Sequence, residues 1–126
     1  MNAHATSTPK GDSAEVNAVM NLLESRSGSR TGPYMVSHKG QLGHLLGAAG
    51  SVEAGIALLS LKHDAIPGNA NLENLDEGLE IDGVNLVREN VTNVDDEWRD
   101  RRRLVLKNSF GFGGTNVSLL FAEYKL

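Results

Sequence analysis

The sequence predicts an α/β fold in which helices lie against a small sheet, and three features predict it. Residues 13–25 place Val16, Val19, Met20 and Leu23 at helical spacing. The stretch from Leu45 to Lys62 is apolar nearly all round, as in a helix buried on several sides. Leu104–Asn108 and Val117–Tyr124 are strand-like runs joined through Gly111, Gly113 and Gly114. Helix and strand signals in this order make an α/β layer pattern.

Each element has a local reason. Residues 2–9 are small and polar, and read as a loop. Asp12 offers an N-cap oxygen and Glu15 stands three positions on, as in a capping box, so the first helix is expected to begin at residue 13. Ser27–Pro33 holds Gly28, Gly32 and Pro33 and reads as a surface loop. Tyr34–Ser37 is short and apolar enough for a buried strand. Gly40–Gly43 turns the chain into the second helix. That helix carries Gly47, Ala48, Ala49, Gly50, Ala54 and Gly55. Such small residues let another backbone pack closely, against a helix penalty of ~1 kcal/mol per glycine. Residues 64–98 show no clear period and hold Pro67, Gly68 and many Asn and Asp. They are expected to form an extended, mostly exposed crossing with at most short strands. Arg99–Arg103 is a basic knot.

No internal repeat or linker divides the chain, so residues 1–126 read as one domain. The layer pattern calls for a strand before the first helix, and Met1–Ala3 is too short to be all of it. The chain therefore reads as cut at its N-terminal end.

Composition narrows the function classes. Hydrophobic residues make up 40% of the chain, as expected of a globular fold. A net charge of -4 without a broad basic surface argues against a nucleic-acid partner. There is no cysteine, which excludes disulfides, thiolate metal sites and a cysteine nucleophile of the chain's own. Met1–Asp12 has neither an apolar run nor a basic cluster, so no signal peptide is read there. The most apolar stretch, Leu45–Leu61, is interrupted by Glu53 and is shorter than the ~20 residues that cross a bilayer. No membrane span is expected.

Three segments are candidates for chemistry. In the first, Asn2–Pro9, His4 sits among small and hydroxyl residues before a helix. Spacing alone favours an incidental histidine in a turn-rich loop. In the second, Ser37–His44 runs into the small-residue helix. His44 at that helix N-terminus would favour the neutral ring, a donor suited to a developing oxyanion, or it would simply cap the helix. In the third, Asn108–Asn116, glycines let backbone N–H groups approach a ligand, or they make a hairpin turn with two core phenylalanines. A phosphate-cradling loop is a further reading, but the pattern is not Walker A and no helix follows it.

Together, in this order, the phrases Asn-Ala-His-Ala-Thr-Ser-Thr-Pro, Gly-His-Leu-Leu-Gly-Ala-Ala-Gly and Asn-Ser-Phe-Gly-Phe-Gly-Gly-Thr-Asn resemble the C-terminal signatures of the β-ketoacyl-acyl carrier protein synthases. The stand-alone enzymes of bacteria, plastids and mitochondria are the most similar members. The resemblance implies a thiolase-like fold, of which this chain would supply the C-terminal half as a partial βαβαββ unit. It implies a decarboxylating Claisen condensation of malonyl-acyl carrier protein with an acyl thioester, in fatty-acid biosynthesis. By the resemblance, His4 and His44 are the pair that donates to the thioester oxygen as it becomes an enolate. Lys39 is the active-site lysine and Glu15 the acid that pairs with it. Phe112 is the gate of the glycine-rich loop, with its N–H in an oxyanion hole, and Phe110 is a packing residue. Thr6 and Thr8 line the channel for the pantetheine arm.

The resemblance implies no cofactor and no catalytic metal. Its partners are acyl carrier protein with malonyl and acyl groups on 4'-phosphopantetheine, the missing N-terminal half of the enzyme, and a second subunit of a homodimer. The expected compartment is the mitochondrion, or else bacterial cytoplasm or a plastid. The chain departs from the pattern twice. The nucleophilic cysteine is absent, and His38 stands beside Lys39 where a small residue, usually threonine, is expected. His63 ends the second helix and takes no role, and the four histidines show no ligand spacing for a metal. Arg99–Arg103 would meet an acidic carrier protein or form a solvated turn beside the acidic loop. Three functions follow: an enzyme fragment, inactive by itself; a non-catalytic truncated form that binds a full-length partner; and a decarboxylase-like or chain-length-factor relative. Half of such a fold leaves apolar faces open, so the isolated chain is expected to associate or to be poorly soluble.

Overall fold

Pro9 decides where the first helix starts. In the computed structural model, which describes residues 1–25, 32–88, 91–94, 96–100 and 102–124, α1 spans Pro9–Glu24 with Thr8 as its N-cap. Proline suits the first helical position because its missing N–H would have no partner there. The expected start at residue 13 is therefore corrected, and Asp12 lies inside the first turn. Glu15 is not a capping-box partner but a buried residue of the inward face, beside Val16 and Val19. The two valines pack with Ala3, Met35 and Ile81. Most of the expected Ser27–Pro33 loop lies outside the described residues.

The strands make one layer through the first three residues. β1 (Tyr34–Met35) pairs in parallel with β3 (Asn85–Leu86), and β5 (Leu104–Phe110) pairs antiparallel with β6 (Asn116–Ala122). Asn2 bridges to Val36 on one side and to Lys107 on the other. The Asn2 N–H donates to the Leu106 carbonyl at 2.7 Å, and the Ala3 N–H donates to the Val36 carbonyl at 2.8 Å. The layer thus runs β3, β1, residues 1–3, β5, β6. Among the described residues, the chain from Ala65 to Asn93 carries only short strands, as expected. Two of them, β2 (Ala65–Pro67) and β4 (Val91–Asn93), pair antiparallel beside this layer.

The expected turn at Gly40–Gly43 holds a single helical turn, α2 (Lys39–Leu42), and the expected second helix opens with a 3-10 turn, Leu46–Ala48, before α3 runs from Ala49 to His63. Gly43 at φ 73° and Leu46 at φ 48° take left-handed backbone, which a right-handed helix does not contain. α3 buries Ala49, Glu53, Ala57, Ser60 and Leu61, one face at helical spacing, and Ala57 and Leu61 pack on Val105 of β5. Val52, Leu58 and Leu59 stay exposed. Among the described residues one layer reaches the helix, and its other apolar faces stay open, as half of such a fold is expected to leave them.

The basic knot is partly helical. α4 spans Asp96–Asp100, Arg99 lies 3.1 Å from Asp96 and 3.8 Å from Asp64, and Arg103 pairs with Asp64 and Glu123. Arg99 and Arg103 thus face acids of this chain, and Arg101 lies outside the described residues.

Candidate active site

β5 is the spine of the site because its side chains alternate between two faces. Asn108 and Phe110 face the loop that follows residues 1–3. Val105, Lys107 and Ser109 face α3. On the first face, Asn108 Nδ2 donates to Glu15 Oε1 at 2.9 Å, and Ser118 Oγ donates to Asn108 Oδ1 at 2.8 Å. Glu15 also accepts the backbone N–H of His4 at 2.9 Å and of Ala5 at 3.0 Å. These bonds hold a loop whose Ala5 and Ser7 have positive φ, a conformation that needs such support in residues with a Cβ. The His4 ring lies edge-on to Phe110, with centroids 5.2 Å apart.

The two histidines that motif order singles out are brought together. Their ring centroids are 5.6 Å apart and their planes meet at 85°. His44 lies before the 3-10 turn rather than at the first turn of α3. Its orientation comes from the Leu46 N–H, which donates to His44 Nδ1 at 3.2 Å. An accepting Nδ1 assigns the proton of the neutral ring to Nε2, leaving that N–H to donate. Burial and then the Lys39 charge push the His4 pKa below its ordinary value, against a smaller opposing pull from Glu15. His4 is therefore a neutral donor at pH 7.

Behind them lies a buried ion network. Lys39 Nζ is 2.6 Å from Glu53 Oε1, and Lys107 Nζ is 2.7 Å from Glu53 Oε2. The second contact lies off the direction of a hydrogen bond, so it is an ion pair by distance alone. Lys39 thus pairs with Glu53, and the expected pairing with Glu15 is corrected. Glu15 is occupied by the N–H groups of His4, Ala5 and Asn108. Burial tends to raise the Glu53 pKa, but the two lysines outweigh it and leave the carboxyl below its ordinary value. Lys107 is fully buried, and burial lowers its pKa.

Sequence reasoning missed Glu53 and Lys107 as members of the site, and gave Asn108 and Ser109, which open the third candidate segment, no role of their own. A signal existed for the first two. Glu53 is the lone charge in Leu45–Leu61 and Lys107 the lone charge in Leu104–Phe110, and a buried charge requires a partner. His38 points away from the histidine pair. It is buried in a separate cavity of about 70 Å³, with Asn2, Ala57, Ser60 and Val105.

The site opens as a cleft of about 780 Å³, within the ~300–1,000 Å³ common for ligand pockets. His4, His44, Glu53, Ser109, Phe110 and Phe112 line it, and Thr6 and Thr8 lie along it with their hydroxyl oxygens 3.3 Å apart. Phe112 is 95% exposed on a short 3-10 turn, Phe112–Gly114, that Gly113 enters at φ 80°. Among the described residues no group of three His, Cys, Asp or Glu side chains is placed to hold a metal ion. The arrangement offers ring N–H donors beside an apolar wall, with a net positive network behind them, and so favours an oxygen that gains negative charge.

Comparison with known proteins places the chain in a family. The family described as beta-ketoacyl synthase, C-terminal domain, matches residues 1–73. The chain is 46% identical to a 3-oxoacyl-[acyl-carrier-protein] synthase 2 of Vibrio harveyi, over 98% of this chain and 27% of that protein. It is 44% identical to a synthase homolog of Saccharomyces cerevisiae, over 99% and 28%. It is 42% identical to a mitochondrial synthase of Arabidopsis thaliana, over 98% and 25%. The chain thus spans about a quarter of the length of these curated relatives. A ketosynthase from module 1 of the bacillaene synthase of Bacillus amyloliquefaciens superposes with a TM-score of 0.83 at 28% identity, over 98% of this chain and 22% of that one. Ketosynthase twelve from the bacillaene polyketide synthase of the same species gives 0.84 at 25%, over 98% and 22%. On the family match and these similarities, the chain belongs to the β-ketoacyl synthases, whose C-terminal domain and thiolase-like fold it carries in part.

Proposed function

We infer that this chain forms the enolate-stabilising part of the active site of a 3-oxoacyl-[acyl-carrier-protein] synthase that extends acyl chains in fatty-acid biosynthesis. The observation that carries the reading is the edge-on pair of His4 and His44 lining the cleft, with Lys39 paired to Glu53, which lines it too. Malonyl-acyl carrier protein loses carbon dioxide, and the electrons of the broken bond move onto the thioester oxygen. His4 and His44 each give that oxygen a hydrogen bond that strengthens as its charge develops. The carbanion then attacks the acyl thioester and releases the thiol that carried the acyl group. That thiol is a cysteine supplied from outside these 126 residues, since the chain contains none. Phe112 gates the cleft, and Thr6 and Thr8 line the path of the pantetheine arm. The working enzyme is a homodimer that takes acyl carrier protein as its partner. Relatives occur in bacteria and, in Arabidopsis thaliana, under a mitochondrial name, and a mitochondrial site is the reading adopted.

The test is condensation by the full-length protein carrying this segment, with malonyl- and acyl-loaded carrier protein and mass spectrometry of the product. His4→Ala and His44→Ala should each lower kcat by about 10²–10³-fold. A His4→Ala protein that condenses at the unmodified rate overturns the reading. The exposed apolar residues of α3 and β6 favour a second reading, a non-catalytic short form that docks on a full-length partner. The native mass in the protein's own cells separates the two, because a 13.5 kDa band supports the short form.

A further inference from the structure

We propose that Ser109 donates a hydrogen bond to an oxygen of the bound thioester substrate, and that Lys107 is the positioning residue that aims it. The proposal rests on the condensing reading above. β5 and α3 meet level by level: Val105 packs on Ala57 and Leu61, Lys107 reaches Glu53, and Ser109 lies against Gly50. The Lys107 ammonium has three donors and no acceptor. Three oxygens surround it: Glu53 Oε2 at 2.7 Å, Ser109 Oγ at 3.0 Å, and the Asn108 carbonyl. Ser109 Oγ can only accept from an ammonium, so its own proton must point elsewhere. Among the described residues no group accepts that proton.

The cleft supplies the remaining direction. Ser109 lines it together with His4, His44, Phe110 and Phe112. A Cβ at Gly50 would already touch Ser109 Oγ at 3.5 Å, so glycine there keeps the space over the hydroxyl open. A hydroxyl that accepts from a buried cation is polarised and becomes a stronger donor. Ser109 is then a third donor beside the two histidines, and its preferred acceptor is a carbonyl or carboxylate oxygen that bears negative charge. Lys107 does not line the cleft and acts through Ser109.

The experiment compares Ser109→Val with Ser109→Thr in the full-length protein. The two variants share a shape and differ in the hydroxyl. Ser109→Val should lower kcat of condensation about tenfold, while Ser109→Thr stays within about threefold of the unmodified enzyme. Lys107→Met should lower kcat like Ser109→Val, and the double variant should lose no more than Ser109→Val alone. Ser109→Val also strands a donor of the buried Lys107 ammonium, so its thermal midpoint should fall below that of Ser109→Thr. A kcat loss at a temperature well below both midpoints, with KM unchanged, is the readout a merely structural hydroxyl would not move. Equal kcat for the two Ser109 variants overturns the proposal, and that pair decides even where Lys107→Met fails to fold. An unmodified enzyme that does not condense at all overturns the proposed function and this inference with it. An active enzyme indifferent to the Ser109 hydroxyl overturns this inference alone.

Discussion

Glu53→Gln removes one charge from a site where three charged side chains are 8% (Lys39), 3% (Glu53) and 1% (Lys107) exposed. The amide keeps the volume but has one oxygen for two ammonium groups that the carboxylate held at 2.6 and 2.7 Å. Its NH₂ end meets the other lysine donor to donor. Breaking a buried pair by neutralising one partner costs about 3–5 kcal/mol. A lysine can escape by releasing its proton, which at pH 7 costs about 4.6 kcal/mol from an ordinary pKa of about 10.4. The expected loss is therefore about 3–5 kcal/mol, read by urea unfolding of the protein that carries this segment. Adding Lys107→Met removes one stranded cation, so the double variant should lose at least ~1 kcal/mol less than the separate losses predict. The sign with pH follows from the depressed Glu53 pKa. Its stabilisation is full above the ordinary value of 4.5 and fades as pH falls through the lower folded value. Glu53→Gln should therefore flatten that acid-side loss. A cost under ~1 kcal/mol at pH 7 would refute the buried-network reasoning.

The His4 pKa lies below the ordinary 6.5, so its neutral form persists as pH falls past that value. The rate of malonyl decarboxylation should hold at pH 6.5 and decline only below it. A midpoint at or above 6.5 contradicts the desolvated ring. Glu15→Ala strands the N–H groups of His4, Ala5 and Asn108. It should cost about 2–5 kcal/mol in urea unfolding and raise protease cleavage near residues 4–7. Phe112→Ala removes a side chain that is 95% exposed, so stability should change by under ~0.5 kcal/mol. Stopped-flow acyl transfer should nevertheless slow if the ring gates the cleft, and an unchanged rate rejects the gate.

The hairpin, the first helix and the unpatterned crossing were readable because each rests on local chemistry. Glycines at 111, 113 and 114 set the hairpin connection, and the apolar positions 16 and 19 set the buried face of α1. The start of α1 was misread because Asp12 and Glu15 mimic a capping box, while Pro9 had already opened the helix. The break at Gly43–Leu46 was legible on its glycine side, where a turn was expected at Gly40–Gly43, but not at Leu46, which the apolar Leu45–Lys62 stretch hides inside one helix. That break matters, since it brings Lys39 back over α3 to reach Glu53, 14 residues on.

By itself the sequence determined the family, because the three motifs in this order are specific to it. It also determined that the chain has no thiol of its own. Only the tertiary structure decided which acid serves which cation. Glu15 and Glu53 are alike as letters, but Glu15 faces the His4 loop and Glu53 faces β5. The partner of a buried charge is set by which helix face meets which strand face, and that is a property of packing rather than of spacing along the chain.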